Sequence, residues 1–192
     1  MQVTQSSVTK LTITDVPGLD TITAIFEDLM PKRGKVILEC AGTAWSAMWS
    51  GMGEKTVAQF VGSMSEEYLA NYLSNERKDI VDAESIKSGA QRHILRLRRG
   101  FVVPAVGGRE RVLRIGRGEL TAREAKALWD EVQLARFGDD GWAAYNLLER
   151  IFGAEWWFQL PTKPNPNYLY LFRVITAVQQ ALQQRQQLTA LA

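Results

Sequence analysis

The hydrophobic pattern changes period once, near residues 51–53, and this change limits the fold more than any other feature. Before it, apolar residues alternate. Val36, Leu38 and Cys40 share one face of KVILEC, and Thr43, Trp45, Ala47 and Trp49 share one face of TAWSAMW. A repeat of two belongs to strands half-buried against a core. KLTITDV alternates in the same way, and TITAIFED is rich in β formers. Turn residues separate these runs: PGLD, MPKRGK with Pro31 and Gly34, and Ala41-Gly42. The pattern predicts an antiparallel sheet of about four strands over residues 8–53.

From Lys55 onward the spacing is helical. TVAQFVGSM is a short helix candidate. SEEYLANYLSN pairs Tyr68 with Tyr72 and Leu69 with Leu73 at i,i+4. From about Asp82 to Arg99, Ile86, Ala90 and Ile94 keep one face. Thr121 and Glu124 form a capping box, in which each satisfies a free backbone N–H of the other. Leu128, Val132 and Ala135 mark the buried side of the helix that follows. GWAAYNLLERIFG is another helix, closed by Gly153. EWWFQLPTKPNPN is an aromatic, proline-rich connection, in which Asn165-Pro166 reads as N-cap and first helical residue. The last helix buries Leu171, Val174, Ile175, Val178 and Leu182, and the tail beyond Gln183 is expected to fray. Five to six helices thus occupy 55–99 and 121–187. Between them, residues 100–118 carry Pro104 and extended residues around Arg111–Ile115, which predicts a loose β-hairpin with Gly107-Gly108 near its turn. Strands first and helices afterwards make an α+β fold, read as a single domain over 1–192 with a basic hairpin insertion.

The charge is unevenly spread. Residues 87–117 hold nine Lys or Arg and one acid, Glu110. That gives +8 locally, so the remainder must carry −6 to reach the net +2. Arg92, Arg96 and Arg99 follow i, i+4, i+7 spacing and form one helical stripe. Arg109, Arg111, Arg114 and Arg117 come from the hairpin. A cationic face of this kind neutralises phosphates and releases counterions, so DNA or RNA is the expected partner. The competing reading is a belt that is merely solvated, or that pairs with the chain's own acids. Charge alone carries the signal, since no base-reading motif accompanies it.

Other chemistry finds little support. There is one histidine, His93, and one cysteine, Cys40, too few for a zinc site or an internal disulfide. His93 lies among arginines, which disfavour its protonated form. Adjacent acids at Glu27-Asp28, Glu66-Glu67 and Asp139-Asp140 point different ways on any regular element, so a carboxylate enzyme is the weakest reading. AVGGRERV does not match a phosphate-cradling loop. No cofactor or metal is expected. Trp45 and Trp49 are assigned to the core, and Trp156 and Trp157 to a candidate protein interface. The N-terminus lacks the basic-then-apolar order of a secretory signal, and no apolar run approaches the ~20 residues that span a bilayer. An intracellular protein without membrane contact is expected.

Two segments carry a resemblance. Residues 12–74, from TITDVPGLD through AGTAWSAMWSGMG to EEYLANYLS, and the closing PTKPNPNYLYLFRVITAVQQAL resemble small proteins of tailed phages and prophages. The resemblance implies a setting, an accessory protein in the cytoplasm of a bacterial host, and brings no catalytic residue with it. Three functions are weighed: a non-enzymatic accessory protein binding nucleic acid through the arginine belt; an effector that inhibits a host defence, in the manner of an anti-CRISPR, or a regulatory protein; and an enzyme using carboxylates.

Overall fold

The computed structural model describes residues 2–3, 5, 7–99, 101–103, 113–115 and 119–191, with side chains except at 101–103, 113–115, 159 and 189–191. Its contacts group the chain into two compact units, one made of residues 1–78 with 164–192, the other of residues 79–163.

In the first unit, β1 (Thr9–Ile13), β2 (Ile22–Met30), β3 (Arg33–Cys40) and β4 (Thr43–Trp49) form one antiparallel sheet in that order. The register aligns Leu11, Ala24, Leu38 and Trp45 in a row across all four strands. That row lies on the face predicted from alternation, and Ile22, Phe26, Val36, Cys40, Ala47 and Trp49 are buried beside it. Helices α1 (Val57–Ser63), α2 (Glu66–Leu73) and α6 (Pro166–Leu191) supply the facing residues of the same core, among them Val57, Leu69, Leu73, Leu171, Val174 and Val178. Each helix starts on a side-chain acceptor: Thr56 in a reciprocal capping box with Gln59, Ser65 for Tyr68 N–H, and Asn165 for Asn167 N–H at 3.0 Å. Such caps satisfy N–H groups that have no partner inside the helix.

Two expectations change here. Gly34 is not a turn residue. The β2–β3 turn is made at Pro31-Lys32, with Lys32 at φ +69°, while Gly34 lies inside β3. A Cβ there would stand 2.7 Å from Val57 Cβ and 2.8 Å from Met52 Cε, so the glycine lets α1 approach the sheet. The last helix also does not fray after Gln183. It continues to Leu191, because GlnGlnArgGlnGln are good helix formers with no breaker among them.

In the second unit, α3 (Ala83–Arg99) packs on α4 (Ala122–Leu134) and α5 (Tyr145–Phe152). Ala90 and Ile94 meet Ala125, Leu128, Val132, Leu147 and Ile151 in one cluster. Ile86 belongs to a second cluster with Val81, Phe137, Ala144, Leu148 and Trp156. The Thr121–Glu124 box caps α4 as predicted. A short 3-10 turn (Trp142–Ala144) leads into α5, and Gly141 before it has φ +81° with Leu160 Cδ1 only 2.7 Å from where a Cβ would be. β6 (Phe101–Val103) pairs antiparallel with β7 (Leu113–Ile115), which makes the predicted hairpin. The expected turn at Gly107-Gly108 lies outside the described residues. An unexpected pair, β5 (Asp79–Val81) with β8 (Thr162–Pro164), joins the start of this region to its end.

Candidate nucleic-acid interface

The arginine stripe is built by α3. Because Ile86, Ala90 and Ile94 hold one side of this helix in the core, residues 92, 96 and 99 are carried to the other side. Arg92, Arg96 and Arg99 are all exposed, as is Arg98. The three stripe positions span about 10 Å at 1.5 Å per residue. None of them forms an ion pair with a carboxylate among the described residues, although Lys87, one turn earlier, reaches Glu84 at 3.7 Å. Arg96, Arg98 and Arg99 occupy the last turn. There they oppose the partial negative charge at the helix C-terminus, worth about 0.3–1 kcal/mol each at most. That local benefit explains two or three cations at a helix end. It does not require them to share a stripe with Arg92.

Of the predicted hairpin cations, Arg109, Arg111 and Arg117 lie outside the described residues, as does the side chain of Arg114. Val102 pairs with Arg114 in the hairpin register.

Trp156, assigned to a protein interface with Trp157, is fully buried. The correction has a physical reason. Trp156 fills the space left open by Gly141, its ring 3.1 Å from the position of a Cβ there, and Leu148 and Ile86 close the same cluster. Trp157 remains 41% exposed, next to Trp142 at 55% and Phe158 at 78%. Trp142 stacks on Tyr145 (5.5 Å, 8°) and on Trp157 (6.1 Å, 17°). Sequence reasoning missed Trp142, because it sits at the mouth of a segment read as a plain helix. The 3-10 turn at Trp142–Ala144, begun by a hydrogen bond from Trp142 N–H to Asp140 Oδ1 at 3.1 Å, turns its ring outward.

The remaining candidates have structural partners. Cys40 is buried, receives a hydrogen bond from Tyr170 Oη at 3.1 Å and faces Asp20 O. The contact with Cys40 pushes the Tyr170 hydroxyl up to about 12. His93 is half-buried against the Phe152 ring at 5.4 Å. Burial first, then the Arg96 charge, lowers its pKa, and Glu119 acts the other way. Among the paired acids, Asp28 accepts from Val57 N–H at 2.7 Å, and Glu67 accepts from Lys78 at 3.1 Å. No group of three or more His, Cys, Asp and Glu stands ready for a metal among the described residues. No helix among them is long and apolar enough to cross a membrane.

Strands first and helices afterwards make the fold α+β, as the sequence pattern predicts. A family model describing a phage family matches residues 1–184. The chain belongs to that family, Phage_phiTE_072. No curated protein and no solved structure matches it.

Proposed function

We propose that this phage protein is a non-enzymatic accessory factor of the host cytoplasm that binds nucleic acid through the arginine face of α3. The observation that carries this reading is the placement of Arg92, Arg96 and Arg99. They are exposed, lie on one stripe, and have no carboxylate partner among the described residues. About 10 Å of helix covers roughly three nucleotide steps at 3.4 Å per strand. Three unneutralised guanidinium groups within that span can each bind a phosphate bidentately.

The test is retention on heparin and the salt dependence of binding to a labelled oligonucleotide. Each phosphate contact adds about 0.9 to the slope of log affinity against log salt on duplex DNA and about 0.7 on a single strand. Replacing Arg92, Arg96 and Arg99 together by Ala is expected to reduce that slope by about 2–3, with an unchanged circular dichroism spectrum. An unchanged slope would remove α3 as the site.

A second reading is favoured by one observation, the exposed aromatic group Trp142, Trp157 and Phe158. Exposed tryptophans of this kind anchor protein interfaces, so an effector acting on a host protein is the alternative. Capture of one stoichiometric host protein after nuclease treatment, lost on Trp142→Ala with Trp157→Ala, supports it. An empty capture counts against it.

A further inference from the structure

We infer that the cleft beside Arg92 takes one unstacked nucleobase, so that the protein holds a single strand by its bases as well as its phosphates. This rests on the nucleic-acid reading above and deepens it. The cleft has a volume of about 260 Å³ and is lined by Ser85, Ile86, Gly89, Phe152, Trp156 and Pro161, with Arg92 and Leu160 at its sides. Whole-ligand pockets run from roughly 300 to 1,000 Å³. A smaller space suits one ring system and not a complete cofactor. The walls that a planar heterocycle would meet are the half-buried Phe152 ring, Leu160 and Pro161, with Ser85 and Arg92 as polar groups beside them.

Two features, Arg92 and Gly89, direct a base with its phosphate to this place. Arg92 belongs both to the cleft and to the exposed stripe, so a phosphate on its guanidinium would leave the attached base at the cleft mouth. Gly89 keeps the cleft open. A Cβ built there meets nothing closer than the Arg92 guanidinium at 4.0 Å. Trp156 borders the cleft and holds a buried indole N–H that has no acceptor among the described residues. Buried donors are normally paired, and one left unpaired carries a desolvation cost. Base carbonyls are acceptors, but this indole is fully buried, so one reaches it only if the wall of the cleft opens. The bases of a duplex are stacked and paired and cannot enter, so a single strand or a splayed loop is the substrate class.

The experiment compares fluorescently labelled strands of about ten nucleotides: oligothymidine, an abasic strand of the same phosphate count, and a mixed-sequence duplex. The wild-type protein is expected to bind oligothymidine about tenfold more tightly than the abasic strand, the value of one stacked base. Gly89→Leu fills the cleft, and the ratio is expected to collapse towards one. Gly89→Ala adds a single methyl and gives a smaller loss in the same direction. Both replacements suit a helix interior better than glycine does, so a melting temperature that is unchanged or raised verifies the fold. Equal affinity of the wild type for oligothymidine and the abasic strand overturns the inference and leaves the charge-based reading standing. Absence of binding to all three strands overturns both. Thymidine 5′-monophosphate added as competitor separates a free nucleotide from one carried in a strand. Displacement at matched nucleotide concentration would overturn the strand assignment, and failure to displace supports it.

Discussion

Gly34 and His93 show how single residues carry the fold's demands. At Gly34 the demand is space, because Val57 Cβ and Met52 Cε both occupy the volume a side chain would need. Both neighbours are in the core, so neither can move without disturbing the packing. Gly34→Ala is expected to destabilise the protein by about 1–3 kcal/mol, the usual cost of overpacking, read as a lower midpoint in urea at constant slope. At His93 the demand is electrical. Burial and then Arg96 depress its pKa below 6.5 in the folded chain, so the unfolded chain takes up the proton more readily. Stability therefore falls as pH drops through about 6.5, and stops falling once pH is below the folded pKa. Denaturant midpoints at about pH 7.5 and about pH 5.5 measure the effect. His93→Gln removes this residue's share of the difference, and Arg96→Ala, which relieves the repulsion, makes it smaller.

Elements depend on groups donated from far along the chain. Gln179 in α6 is buried, and its Nε2 donates to Val61 O at 2.9 Å and Met64 O at 2.7 Å. These carbonyls belong to the end of α1, where a helix has no internal donors left. Gln179→Met keeps the volume and removes the donor. A loss of about 1–3 kcal/mol is expected, with amide exchange fastest in Val57–Ser63 if the cost falls on α1. No sequence pattern announces such a pairing across 118 residues. Periodicity and capping residues, by contrast, were readable: the alternating face of the sheet, the box at Thr121, and the Ile86–Ala90–Ile94 stripe all depend on neighbours within one turn or one pleat. β5 and β8 escaped because three-residue strands offer no alternation to detect, and Pro164 in β8 looks like a breaker. For the site, the exposed stripe on α3 follows from its buried face. The cleft does not, since it needs Phe152 from the end of α5 and Trp156 and Pro161 from beyond it. Trp156 and Trp157 are adjacent in sequence and alike in chemistry, and only the packing against Gly141 separates the buried one from the exposed one.

At the scale of the whole molecule, the connectivity matters most. One unit is a continuous stretch, residues 79–163, and the other is assembled from the two ends of the chain. The ends meet where Asn165 N–H donates to Lys78 O at 2.9 Å, and Asn165 Nδ2 donates to Glu76 Oε2 and Arg77 O, each at 2.9 Å. Since Lys78 and Asn165 are already in contact, residues 79–163 are expected to be replaceable by a short Gly-Ser linker without loss of the four-stranded sheet. A cooperative melt and a sheet-containing circular dichroism spectrum of the shortened chain check this. A molten chain with no cooperative transition would show that the sheet needs the excised segment.

The same Lys78–Asn165 junction makes the excised segment a conformational clamp on its host. When residues 79–163 are folded, their two ends are held close. When they are unfolded, docking α6 onto the sheet must close a free loop of 85 residues, at an entropic penalty of about 4 kcal/mol. Lesions confined to the arginine-bearing half would then loosen a β-structure whose atoms they never touch, and synthesis of the final helix would come too late to help unless that half had already condensed.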